Sequence, residues 1–198
     1  MAIIALAEGV ESPPINPIRP KWSDVYKNYP KKSATEDMFG PDLYKSMYGD
    51  DYDMSTHLLD KKYYLYNACA AKVSMALVLS GVELKMIDNI GRDFVARQGV
   101  MKNKGFISTA SKMKLWLEKA WGDVFCSWET GKSCPSYTVK EFGLSVGNRK
   151  GIYVMLAKNP TDFGAGGHVT LWVGGSQGAF AGKHYDKSAK AMYFWELK

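Results

Sequence analysis

The sequence predicts an α+β fold, with N-terminal helices packed on an antiparallel β-sheet built late in the chain. Three observations predict it. Apolar residues recur at helical spacing near residues 68–80 and again from Ser108 to Trp121. After residue 150 this periodicity gives way to short runs rich in β-branched and aromatic residues, separated by glycines. No repeat, low-complexity tract or break in composition divides the 198 residues, which read as one domain behind a tail.

The tail is residues 1–20. Pro13, Pro14, Pro17 and Pro20 forbid regular structure and predict an extended arm. The single domain is residues 21–198. It opens with a short helix from Trp22 to Tyr29, stopped by Pro30. Residues 40–55 mix Gly, Asp, Tyr and Met and read as a loop holding a helical turn at most. In the helix near 68–80, Asn67 is a good N-cap, Cys69, Val73, Ala76, Leu77 and Ser80 share a face, and Gly81 is a natural stop. In the helix from Ser108, the apolar face is Met113, Trp116, Leu117 and Ala120, and Gly122 ends it. Strands follow at 151–157, 168–173 and 191–197.

Composition narrows the function. Hydrophobic residues make up 46% and charged residues 23%, and no apolar run reaches the ~18–20 residues of a membrane span. Membrane insertion is not expected. The apolar start, Ile3-Ile4-Ala5-Leu6-Ala7, lacks a basic flank and meets Glu8 early, so no Sec signal is read there. Net charge is +6. The lysines are scattered, with no stripe or motif for nucleic acid, so the charge reads as a solubilising surface or an attraction to an anionic partner such as cell wall. No cofactor is expected. His57, His168 and His184 show no zinc-ligand spacing with the cysteines, so no metal site is expected either. Cys126 and Cys134 flank a turn-like stretch and either close a short loop in an oxidising compartment or stay reduced; both readings stay open.

The chemistry lies in Cys69 and His168. A thiol attacks as thiolate, and the amides and dipole of a helix's first turn favour that anion. Cys69 falls at about the second helical position, where a backbone N–H can also donate to a developing oxyanion. About a hundred residues later, Gly166 and Gly167 precede His168 at the start of a strand and leave room for substrate beside its ring. A helix cysteine followed by a strand histidine is the order of a papain-like nucleophile and base. Each residue alone reads equally well as a core position, and only their joint order carries the enzymatic reading. A third group should hold the other imidazole nitrogen. Ser176, Gln177, His184 and Asp186 are candidates. Asp186 is the only carboxylate between His168 and Glu196, and His184 is its rival; otherwise Lys183 to Lys187 is a solvated loop.

Several stretches together resemble the fourth family of type VI secretion amidase effectors, NlpC-like members of the papain-like cysteine peptidase fold. They are Asn67-Ala68-Cys69-Ala70 with Ser74 and Leu77 behind, Ser80-Gly81-Val82-Glu83-Leu84, Lys114 to Gly122, Gly151-Ile152-Tyr153-Val154, Gly167-His168-Val169-Thr170-Leu171-Trp172, and Tyr193-Phe194-Trp195-Glu196-Leu197. The likeness runs over about residues 20–198. The resemblance implies a toxin that cuts the amide between D-glutamate and the diamino acid of peptidoglycan stem peptides. Cys69 would be its nucleophile and His168 its general base and acid. It also implies secretion without a Sec signal through the type VI machinery, action in a rival's periplasm, and a cognate immunity protein. The family's aspartate lies between two cysteines after the Gly-His strand. This chain has no cysteine there, so Asp186 is placed by alignment alone. The N-terminal arm has no family counterpart. Two competing readings are a housekeeping wall hydrolase of the same fold and a non-catalytic domain that binds wall or a partner.

Overall fold

Three groups of buried side chains organise the chain around a five-stranded antiparallel sheet. The computed structural model describes residues 6–7, 10–11, 19–50, 68–87, 89–122, 124–129, 139–183 and 186–198.

In chain order, β1 (Leu6–Ala7) pairs antiparallel with β2 (Val10–Glu11), a short ladder within the arm that was expected to be irregular. The prolines begin at Pro13, so their veto on hydrogen-bonded structure starts after this pair. The arm also ends on the domain rather than apart from it. Arg19 donates to the carbonyls of Glu196 and Trp121 at 3.1 and 3.3 Å and lies over the Trp121 ring. Helix α1 (Trp22–Asn28) stops before Pro30 as expected, and its first amide, Trp22 N, donates to the Lys198 carbonyl at 2.6 Å.

Residues read as a loop instead form α2 (Gly40–Tyr48). The misleading signal was the mix of Gly, Asp, Tyr and Met, and Pro41 near its start does not oppose a helix. Proline fits the first turn of a helix, where its missing N–H has no partner to lose. Leu43, Tyr44 and Met47 are then buried at helical spacing, in a cluster with Ala71, Met75 and Phe106. The remainder of that loop, residues 51–55, lies outside the described residues.

Helix α3 (Cys69–Leu79) differs from its expected form in two ways. It was read with one apolar face, but every residue from Ala70 to Leu77 is buried. A helix apolar all round belongs in an interior. Second, the cap position is Ala68, with no side-chain cap hydrogen bond, and Cys69 is the first helical residue rather than the second. Asn67, the expected cap, lies outside the described residues. Ser74 fastens α3 from inside, accepting from Ile107 N at 2.9 Å.

Strands β3 (Phe94–Val95) and β4 (Gly105–Phe106) make a second small ladder. Helix α4 (Ala110–Trp121) follows, with Thr109 as its cap accepting from Lys112 N, and all four expected apolar positions are buried. Strand β5 (Cys126–Glu129) occupies part of the stretch read as turn-like. Cys134 lies outside the described residues. Helix α5 (Val139–Val146) was not anticipated. Then come β6 (Gly151–Ala157), the one-turn α6 (Pro160–Phe163), β7 (Gly167–Gly174), β8 (Gly178–Ala179) and β9 (Ala189–Glu196).

The sheet order is β5-β9-β6-β7-β8. Side chains alternate between its faces. On one face Ile152, Val154, Val169, Leu171 and Trp195 pack against α1, α3 and α4. On the other Tyr153, Met155, Trp172, Met192 and Phe194 pack against Phe142 and Val146 of α5. Covering both faces explains why the central strands read as nearly unbroken apolar runs.

Candidate active site

The start of α3 meets the start of β7. Cys69 and His168 line the same cleft, of about 570 Å³, together with Asp37, Lys72 and Lys183. Met38, Phe39 and Phe163 give the cleft an apolar share of its wall. The two residues singled out from sequence thus stand together.

Local sequence explains how. At Gly167 an added Cβ would lie 2.3 Å from the Met155 carbonyl, so only glycine lets β7 close onto β6 at Leu156. That pairing sets His168 opposite Met155. The glycines were expected to open space beside the ring. Gly166 does face open space, while Gly167 serves the strand pairing instead.

The electrostatics differ from a preformed thiolate. Burial pushes the Cys69 thiol up from its ordinary value. The backbone N–H groups of Val169 and Ala70 at the sulfur, and the charge of Lys72, pull it part of the way back, while Asp37 opposes them. His168 is only 8% exposed. Its burial, reinforced by Lys183 and then Lys72 against the opposing charge of Asp37, brings its pKa down to about 3. The resting pair is therefore a neutral thiol and a neutral imidazole.

Beneath the pair lies a charged cluster that sequence reasoning missed. Oδ2 of Asp37 accepts from Lys72 Nζ at 3.0 Å and from Lys183 Nζ at 2.7 Å. The Asp37 and Lys72 side chains are 8% and 7% exposed, and Lys183 is 33% exposed. Asp37 reaches this place because residues 31–37 fold back on themselves, with Lys32 N and Ser33 N donating to the Glu36 carbonyl. Nearby, the buried Tyr29 hydroxyl lies 3.1 Å from Thr170 Oγ1 of β7. Its pKa stands well above the usual value because burial and then the Asp37 charge disfavour phenolate. Lys72 carried a signal in the sequence, since it follows Cys69 by one helical turn. Asp37 carried none.

The third-residue candidates fare differently. Asp186 opens a one-turn 3-10 helix, Asp186–Ser188, that leads into β9. His184 lies outside the described residues. Ser176 and Gln177 fall in the turn after β7 and do not line the cleft. Among the described residues, no group of three His, Cys, Asp or Glu side chains is placed to hold a metal ion. No described helix is long and apolar enough to cross a membrane.

A helix-borne cysteine and a strand-borne histidine that line one cleft of an α+β frame match the arrangement of papain-like cysteine hydrolases. The model of the type VI secretion system amidase effector protein 4 family, Tae4, matches residues 65–195, and the chain belongs to this family. It is accordingly a hydrolase of the peptidoglycan amidase class, an antibacterial effector of type VI secretion. Among solved structures it is similar to the Tae4–Tai4 effector–immunity complex from Enterobacter cloacae, with 17% identity over 91% of this chain and 100% of that one, TM-score 0.61. It is also similar to the Tae4/Tai4 effector–immunity system from Salmonella typhimurium, with 18% identity, the same coverages and TM-score 0.62. Tae4 from Enterobacter cloacae alone gives 16% identity over 93% of this chain and 100% of that one, TM-score 0.60. These identities support the α+β fold. No curated protein sequence matches the chain. Family membership sets aside the housekeeping hydrolase and the non-catalytic wall-binding domain.

Proposed function

We propose that this effector hydrolyses the γ-D-glutamyl–diaminopimelate bond of peptidoglycan stem peptides in the periplasm of a rival cell, with Cys69 as nucleophile and His168 as base and acid. The observation that carries the reading is the shared cleft of Cys69 and His168. In the resting site both groups are neutral. As the Cys69 sulfur attacks the γ-carbonyl carbon, its proton passes to His168. The oxygen that gains charge takes the backbone N–H of Cys69 at the open first turn of α3. His168 returns the proton to the leaving amine as the C–N bond breaks, then takes one from the water that attacks the thioester and passes it to the Cys69 sulfur as the C–S bond breaks. Asp186 is proposed to steady the imidazolium formed in between.

Two of the similar structures pair the effector Tae4 with the immunity protein Tai4. By the same likeness a cognate immunity protein is proposed to cover this cleft in the producer, and the type VI apparatus to deliver the chain without a Sec signal.

Mass spectrometry of Gram-negative sacculi, treated with this protein or with Cys69→Ala, tests the reading. Stem fragments ending in D-glutamate should appear with the unmutated protein alone. Identical sacculi after both treatments, or cleavage at another bond, would reject it.

A further inference from the structure

Two ammonium groups in the cleft, those of Lys72 and Lys183, share one oxygen of Asp37, so this cluster carries one more positive charge than its carboxylate balances. Buried charge of one sign calls for an opposite partner. Lys72 is sealed, but Lys183 keeps a third of its side chain open and lines the cleft. Other charges there do not supply the missing anion. Lys32 and Glu36 pair with each other, and Asp42 stands in solvent, where water screens it.

We propose that Lys183, anchored beside Lys72 on Asp37, binds a free carboxylate of the substrate next to the scissile amide, and so selects acidic over amidated peptides. The inference rests on the γ-glutamyl reading above, because a γ-linked glutamyl residue leaves its α-carboxylate unreacted. Four carbon–carbon bonds separate that carboxylate carbon from the carbonyl carbon under attack, a span of about 5 Å when extended. Residues three apart on a helix have Cβ atoms about 5–6 Å apart. A substrate with its carbonyl at Cys69 is therefore long enough to bring its carboxylate to the turn that bears Lys72, beside Lys183. Charge-assisted hydrogen bonds from ammonium to carboxylate suit that meeting.

Steady-state kinetics with two synthetic peptides test this: L-alanyl-γ-D-glutamyl-diaminopimelate and the same peptide with the glutamyl α-carboxylate replaced by carboxamide. The unmutated protein should favour the carboxylate peptide by about 10- to 100-fold in kcat/KM, mainly through KM, the range for a hydrogen bond between charged groups. Lys183→Gln should bring the ratio close to one, and Lys183→Arg, which keeps the charge, should preserve it. Thermal melting checks that both variants fold, and the preference of the unmutated protein stands as evidence without them. Equal use of both peptides, or a preference that survives Lys183→Gln, overturns the proposal. Product masses separate this from failure of the underlying reading: if neither peptide is cut at the γ-glutamyl bond, both fall together.

Discussion

Lys72 stands one helical turn after Cys69 and donates to Asp37 Oδ2 at 3.0 Å, an ion pair from which water is almost wholly excluded. Such a pair is costly to break from one side, because the survivor keeps its charge without its partner. Asp37→Ala should therefore cost about 3–5 kcal/mol of stability in urea unfolding. Replacing both partners by apolar residues, Asp37→Leu with Lys72→Met, should recover much of that loss. A double variant as unstable as the sum of the single variants would contradict the assignment.

Acid should weaken the fold through His168. In the unfolded chain this group protonates near the ordinary value of 6.5, whereas in the fold its pKa is about 3. Between those values the unfolded state binds the extra proton, so stability is complete above about pH 6.5 and drains as pH falls toward 3. The loss should be on the order of 4 kcal/mol, and His168→Gln should flatten this limb of the stability–pH curve relative to the unmutated protein. Urea midpoints at pH 4.5 and 7 read the difference: those of the unmutated protein should lie on the order of 1 M apart, and those of His168→Gln closer together.

A helix start suggested a fast-reacting thiolate, and burial points the other way. Burial raises the Cys69 pKa, so the thiol form dominates at pH 7. Alkylation of the resting protein by iodoacetamide, followed on the Cys69 peptide by mass spectrometry, should be slow at neutral pH. It should climb about tenfold per pH unit into the alkaline range. A rate already at its plateau at pH 7 would show a preformed thiolate.

The two glycines before His168 should respond oppositely to the same change. Gly167→Ala drives a methyl into the Met155 carbonyl and should cost about 1–3 kcal/mol along with activity. Gly166→Ala meets nothing within 4 Å and should stay within about 0.5 kcal/mol of the unmutated protein. Thermal melting of both variants gives the comparison.

The parts of the fold that sequence revealed are those with a local signature. The helix of Cys69, the helix from Ala110 to Trp121 and the three long strands each announce themselves by period and punctuation. Helix Gly40–Tyr48 hid behind a mix of Gly, Asp, Tyr and Met that reads as turn-forming until its apolar members are seen buried together. Strand Cys126–Glu129 is short, and its pairing with Ala191–Phe194 joins segments more than sixty residues apart, which no local pattern encodes. Within the site, Cys69 and His168 were legible because their chemistry is rare in that order. Asp37 was not, because Glu36-Asp37 in a polar stretch looks like any solvated loop until the fold buries one of the two.

The interior position of the Cys69 helix divides the molecule into a part that is hard to alter and a part free to change. Every residue from Ala70 to Leu77 has neighbours on all sides, so nearly any exchange there disturbs packing around the nucleophile. Asp37 shares that constraint through its buried pair with Lys72, whereas the rest of the turn at 31–36 and the open part of Lys183 bear little of the core. Descendants of this chain can thus retune which peptides they accept, or escape a neighbour's inhibitor, by drift at the rim while the chemical centre stays fixed.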